Sequence, residues 1–403
     1  MRRVVVTGMG ITSPLGSTVE TAFERLKTYQ NCIEYWAELD EIKNMNTRLC
    51  AKVKGFIKPE HFTRKVTRTM GNVALMSSVV SEEALRDANL LGNPIITNGR
   101  CGVAYGSSTG SMKPIFDFYA IELEKEVKNL NSGSYIKTTA VNISLYFKTT
   151  GRLIPTSTAC TSGSLGVGMA YESIKYGQQD IMIAGGAEEL HPSQAGVFDT
   201  LYATSIKNNT PNKTPSPFDR DRDGLVIGEG AGTLILEEYE HAKNRGAKIY
   251  AEIVGFATNT DGTHITNPNP NTMQIVMENS IKSAGLSAND IGYVNAHGTG
   301  TKNGDIAESI ATQNAFKRQV PISTIKSYTG HTLGACGAIE AILSIEMMRN
   351  KWFAPTLNLN NIDPECGKLD YIVDEGRNID TEYVMSNNFA FGGINTSLIF
   401  KRV

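Results

Sequence analysis

Short apolar runs alternate with amphipathic stretches along the 403-residue chain, and many of the runs end in glycine or small polar residues. Val4–Val6 lead into "TGMG", the pattern of a buried strand entering a glycine turn. Residues 17–29, "STVETAFERLKTY", predict a helix with Ser17 as N-cap and Glu20 completing a capping box. Small apolar side chains recur at helical period over 69–89, and 101–110 reads as a strand ending in glycine and serine. "LGVGMAYESIKYG" (165–177) predicts a helix stopped at Gly177, followed by a buried strand over 180–189. Residues 204–223 are polar and proline-containing, so they read as a surface loop; 224–246 predict a strand pair and then a helix.

A second series begins near 248: strand 249–256, helix 272–285, strand 291–296, helix 303–316, a glycine-rich stretch 323–340, and strands within 368–375 and 397–400. No long linker or low-complexity tract separates the two series. The pattern therefore predicts an α/β protein of two similarly organised halves, 1–247 and 248–403, fused into one body.

Composition narrows the class. A chain 40% hydrophobic and 20% charged has enough apolar surface for a large core without disulfide staples. The net charge of -2 provides no basic field for nucleic acid. Six scattered cysteines, with no CxxC and no Cys/His pairing, predict neither a disulfide framework nor a metal site and fit a reducing compartment. The valine run after Arg2-Arg3 is too short for a signal segment, and no run reaches the about 18 apolar residues of a membrane span. The expectation is a cytoplasmic protein with no membrane insertion.

Four glycine-rich segments carry candidate chemistry. In "STACTSGS" (157–164), Cys160 lies on a turn that opens a helix, where backbone N–H groups and the helix dipole favour a thiolate. The plain alternative is a small packing residue. "NAHGTGTKNGD" (295–305) puts His297 at a strand end, with the hydroxyls of Thr299 and Thr301 behind it for an amide-rich ligand. "STIKSYTGHTLGACGAIEA" (323–341) brings Lys326, His331 and Glu340, with Cys336 read as a packing residue. In "SNNFAFGGINTSLIF" (386–400), Phe389 and Phe391 precede a Gly-Gly pair able to aim N–H groups into an oxyanion hole. A basic cluster of Arg64, Lys65 and Arg68, with Lys207, reads either as a solvated face or as a docking surface. The N-terminal glycines lack the third glycine of a dinucleotide fingerprint, Ser13 standing in its place.

Together these segments resemble the elongating β-ketoacyl-acyl carrier protein synthases, condensing enzymes of the thiolase superfamily, in order along almost the whole chain. The resemblance implies a five-layered αβαβα fold from two duplicated halves and a Cys160–His297–His331 site. It also implies a homodimer, or a heterodimer with a chain-length factor. By the same resemblance Cys160 and Phe391 supply the oxyanion hole, Lys326 and Glu340 organise His331, and Asp305 supports the His297 loop. Thr299 and Thr301 bind the phosphopantetheine arm, Thr109, Thr161 and Phe389 line the substrate site, and Phe391 gates it. Arg64, Lys65, Arg68 and Lys207 dock an acidic acyl carrier protein. No cofactor or metal is implied, since phosphopantetheine arrives on the carrier.

The chain departs from the family pattern at Ala390, where glycine is common, at Thr161, where alanine is common, and at Thr109, where a larger apolar residue is common. The runs 201–209, 327–341 and 387–400 look like synthases of aryl polyene or flexirubin-type pigments, with housekeeping fatty acid elongation as the alternative. A degradative thiolase would carry a second catalytic cysteine and a differently spaced histidine, and a chain-length factor would lack the nucleophile.

Overall fold

A computed structural model describes residues 1–112, 115, 116, 119, 122, 123, 125 and 139–403. The first half contributes β1 (Val4–Thr12), β2 (Cys101–Gly106), β3 (Leu153–Thr156), β4 (Ile181–Glu188) and β5 (Gly230–Glu238), paired in the order β3-β2-β4-β5-β1. The second contributes β6 (Ala251–Thr260), β7 (Ile291–Asn295), β8 (Pro321–Ser323), β9 (Tyr383–Phe389) and β10 (Ile394–Lys401), in the order β8-β7-β9-β10-β6. Both halves thus run 3-2-4-5-1. Strand directions match as well: the first three in each order are parallel, and the other two pairings are antiparallel. Val4–Val6 pair with Ala251–Ile253 and join the two halves.

The helices are α1 (Val19–Leu26), α2 (Asn72–Asp87), α3 (Thr139–Phe147), α4 (Ser162–Lys175), α5 (Pro192–Asp199), α6 (Pro270–Ser283), α7 (Lys302–Phe316) and α8 (Cys336–Arg349). Alternation along the strands sets the layers. Ile181, Ile183 and Ile235 face an outer core with Val73, Val80 and Leu85 of α2. Met182, Ala184, Leu234 and Leu236 face the central core with Val167 and Ala170 of α4 and Ile342 and Ile345 of α8. A third core packs α6 and α7 on the far side of the second half. The result is the αβαβα sandwich expected. Because both sheet faces are covered, β4 is buried along its whole length and reads as a continuous apolar run.

Several local expectations are corrected. The first helix is capped by Thr18 with Thr21, not by Ser17 with Glu20, and it ends at Leu26. Only one strand forms in 224–246. Leu225, Ile227 and Gly228 instead make single bridges to Thr204, His331 and Ala51. The run 368–375 supplies only a two-residue strand, Asp370–Tyr371, and β9 is a strand that the sequence pattern did not predict. Residue 247 lies in the connection between a short helix, Tyr239–Asn244, and β6. Among the described residues no helix is long and apolar enough to cross a membrane.

Candidate active site

The site is built from two matching turns. After β3 the chain passes through a tight turn, Ala159–Thr161, into α4; after β8 an equivalent turn, Leu333–Ala335, enters α8. Ala159 and Leu333 both take the left-handed backbone conformation, with φ of +48° and +47°. "TACTSGS" and "TLGACGA" therefore align as one duplicated element, with Gly163 matching Gly337. These two glycines let the helix starts meet. A Cβ on Gly163 would lie 2.9 Å from the Gly334 carbonyl oxygen, and one on Gly337 would lie 2.6 Å from the Ser164 nitrogen.

That approach places His331 Nε2 3.0 Å from Cys160 Sγ. The Leu333 N–H donates to His331 Nδ1 at 3.2 Å, so Nε2 carries the ring proton and aims it at the sulfur. The backbone amides of Cys160 and Phe391 also favour the charged sulfur. Burial nevertheless pushes the Cys160 thiol up to about 11, against the pull of Lys326 and the two amides. Desolvation thus works against the thiolate that the helix start favours.

His297 follows β7, edge-on to His331 with ring centroids 5.1 Å apart. Asn388 Nδ2 donates to its Nδ1 at 3.3 Å, which leaves the proton on Nε2. Burial and the Lys326 charge hold both histidines well below their ordinary range, so both are neutral at pH 7. Lys326 forms a buried ion pair with Glu340, and Glu340 accepts from Asn388 Nδ2 at 2.7 Å. The pair thus connects through Asn388 to His297. Its influence on His331 is Coulombic.

The His297 loop hangs on two carboxylates of α7. Asp305 accepts the N–H groups of Thr299, Gly300 and Phe218 at 3.1, 3.2 and 2.8 Å. Glu308, which the sequence reading did not single out, accepts those of His297 and Gly298, both at 2.7 Å. Its signal was present, since a carboxylate three places after Asp305 on a helix shares its face. Burial pushes Asp305 up to about 6 and Glu308 up to about 8. A cavity of about 280 Å³ opens over Cys160, His297 and His331 and is also lined by Thr299, Thr301, Phe389 and Phe391. A cysteine beside two backbone amides and the His331 imidazole, with a second neutral imidazole on His297, suits acyl transfer followed by stabilisation of a second developing anion.

Comparison with known proteins agrees. Residues 1–242 match the β-ketoacyl synthase N-terminal domain and residues 250–360 the β-ketoacyl synthase C-terminal domain. The chain belongs to the β-ketoacyl synthase family. It is 40% identical to a 3-oxoacyl-[acyl-carrier-protein] synthase 2 of Vibrio cholerae, covering 100% of this chain and 99% of the relative. A solved β-ketoacyl synthase from Burkholderia phymatum superposes with a TM-score of 0.98 at 54% identity, covering 100% of both chains. A type II polyketide ketosynthase, solved with its acyl-carrier protein and bound to the hexaketide, superposes with a TM-score of 0.88 at 30% identity. The match covers 100% of this chain and 99% of that one.

Within this β-ketoacyl synthase the remaining candidates divide. Thr299 and Thr301 line the cavity with their hydroxyls 2.9 Å apart. Phe391 is half-buried and packs on Phe198 of α5, ring centroids 5.3 Å apart. Thr161 and Thr109 are not on the cavity wall. The Thr161 hydroxyl donates to the Thr158 carbonyl at 2.7 Å, and that of Thr109 to Glu188 at 2.9 Å. Arg64, Lys65 and Arg68 are exposed on and beside a short helix, Arg64–Thr67. Lys207 is half-buried; it donates to the Asp221 carbonyl at 3.1 Å and lies 3.7 Å from Asp223, so its charge is engaged. Cys336 donates to the Cys160 carbonyl at 3.2 Å and is raised well above the usual thiol range by burial, as a packing residue would be.

Proposed function

We propose that this chain catalyses decarboxylative condensation of an acyl thioester with a malonyl thioester, both presented on acyl carrier protein. The observation that carries the reading is His331 Nε2 at 3.0 Å from Cys160, with His297 beside it. Cys160 sulfur attacks the acyl carbonyl, and its proton leaves with the carrier thiol. The N–H groups of Cys160 and Phe391 hold the tetrahedral oxyanion. Malonyl thioester then loses CO2, and the enolate oxygen takes hydrogen bonds from Nε2–H of His297 and His331. The enolate carbon attacks the acyl carbonyl on Cys160. Collapse expels the sulfur and releases a 3-oxoacyl thioester two carbons longer.

The family relation supports carrier protein as the partner, and the exposed Arg64, Lys65 and Arg68 offer it positive charge. A second copy is proposed to pair along β3, an edge strand whose Leu153 is 40% exposed. No resident cofactor or metal takes part, and the reaction is placed in the cytoplasm. For the acyl chain, the likeness of runs 201–209, 327–341 and 387–400 to pigment synthases supports a polyenoic donor. The hydroxyls of Thr109 and Thr161 add nothing to it, since both bond to the protein itself.

Incubation with saturated and polyenoic acyl-carrier proteins, read by intact mass, tests both levels. Acylation of wild type but not of Cys160→Ala is expected. Acylation that persists in the variant, or none with any donor, removes the reaction; a preference for saturated medium chains removes only the pigment pathway.

A further inference from the structure

Glu188 closes β4, is fully buried, and has no part in the chemistry above. Its Oε2 accepts the N–H of Ser108 at 2.7 Å and that of Gly334 at 3.1 Å. Its Oε1 accepts the hydroxyls of Ser107 and Thr109, both at 2.9 Å. Each hydroxyl is satisfied from behind: Gly110 N–H donates to Ser107 Oγ at 2.9 Å and Gln194 Nε2 to Thr109 Oγ1 at 2.8 Å. One carboxylate thus ties the turn after β2, the helix α5 that carries Phe198, and the second tight turn. The contact is close. A Cβ on Gly334 would lie 2.8 Å from Glu188 Oε2 and 2.6 Å from the Ser108 nitrogen.

The geometry points to Glu188 as a positioning residue for His331. By holding the Gly334 amide it fixes the strained Leu333 next to it, and the Leu333 N–H is what sets the His331 tautomer. The Nε2 proton is thereby aimed where the enolate oxygen forms. A charge-assisted bond from a buried carboxylate suits this task, since the turn it holds belongs to the other half of the molecule. The inference rests on the condensing reaction proposed above.

Three variants separate an acceptor from a space-filler. Glu188→Leu keeps the volume and removes the acceptor. Glu188→Gln keeps one oxygen for the two amides. Glu188→Asp keeps the charge but is one methylene too short to span to Gly334. With malonyl-carrier protein as substrate, decarboxylation kcat is expected to fall at least tenfold in Glu188→Leu and to stay within threefold in Glu188→Gln, with KM unchanged. Alkylation of Cys160 by iodoacetamide stays within threefold in Glu188→Gln and falls less than decarboxylation in Glu188→Leu, because the sulfur keeps the Cys160 and Phe391 amides when the His331 proton is no longer aimed at it. Amide exchange over 329–337 rises in Glu188→Leu and not in Glu188→Gln. If Glu188→Leu does not fold, Glu188→Asp takes its place, and glutamine must still exceed aspartate. Equal rates in the acceptor and non-acceptor variants, or alkylation falling in step with decarboxylation, overturn the assignment. Absence of decarboxylation in wild type overturns the reaction instead, while the exchange comparison still decides the role of Glu188.

Discussion

Lys326→Met removes the cation of an ion pair whose side chains are only 1% and 3% exposed. Glu340 is left with amide donors such as Asn388 Nδ2 for a carboxylate that burial already pushes upward. Breaking one side of such a pair costs about 3–5 kcal/mol, and that is the loss expected in urea unfolding near pH 7. In the folded variant Glu340 titrates above its unfolded value, so on raising the pH the unfolded chain loses its proton first. The variant therefore loses stability relative to wild type as pH rises from the ordinary carboxylate range through the folded value. One proton limits the slope to about 1.4 kcal/mol per pH unit. The double variant Lys326→Met/Glu340→Gln carries neither charge and recovers all but about 1–2 kcal/mol. Condensation does not recover with it, because the Lys326 charge also acts on Cys160, His297 and His331. A loss below about 1 kcal/mol without a pH slope refutes the buried-pair reasoning. Restored turnover in the double variant refutes the electrostatic role.

Phe391→Pro deletes one oxyanion donor and is expected to slow acylation of Cys160 about a hundredfold to a thousandfold, followed by intact mass with Phe391→Ala as the control that keeps the N–H. Gly337→Ala forces a methyl to 2.6 Å from the Ser164 nitrogen, which should cost about 1–3 kcal/mol in calorimetry and lower kcat by separating Cys160 from His331. Glu308 is pushed up to about 8, so its contribution to stability is present in acid and lost as pH rises toward and through that value. Glu308→Gln should flatten the dependence of unfolding free energy on pH between 5 and 9, and an unchanged slope assigns the titration elsewhere.

The site was legible in the sequence where a reactive side chain sits in a turn of small residues. Cys160, His297, His331 and Phe391 all do, and all meet at one cavity. Partners whose role depends on a distant backbone were not legible. Glu308 and Glu188 accept N–H groups from other segments, and a carboxylate at a helix or strand position reads as an ordinary charge until those segments are placed. Thr161 misled for a local reason. In a tight turn a hydroxyl bonds its own backbone, three residues back, more readily than it faces a ligand. The ion pair of Lys207 was not legible either, since Asp223, sixteen residues on, folds back beside it. Strand register was equally hidden: Leu225–Gly228 is apolar like a strand, yet its neighbours lie on three separate segments.

The duplication accounts for why Cys160 and His331, 171 residues apart, converge. Each half ends its third strand in the same tight turn, with a left-handed residue before a glycine-bearing helix start, and the shared strand order sets the two turns against each other. Divergence then divides the work. At the position where the first turn carries Cys160, the second carries Gly334, which has no side chain and sends its N–H to Glu188 instead. The second turn supplies His331 from just upstream, with Leu333 fixing its tautomer. A nucleophile and a donor held on separate but symmetric turns can be tuned separately, whereas the glycines where the two helices touch move both at once. Substitutions at Gly163 or Gly337 should therefore damage acylation and decarboxylation together, while changes confined to one turn should split them.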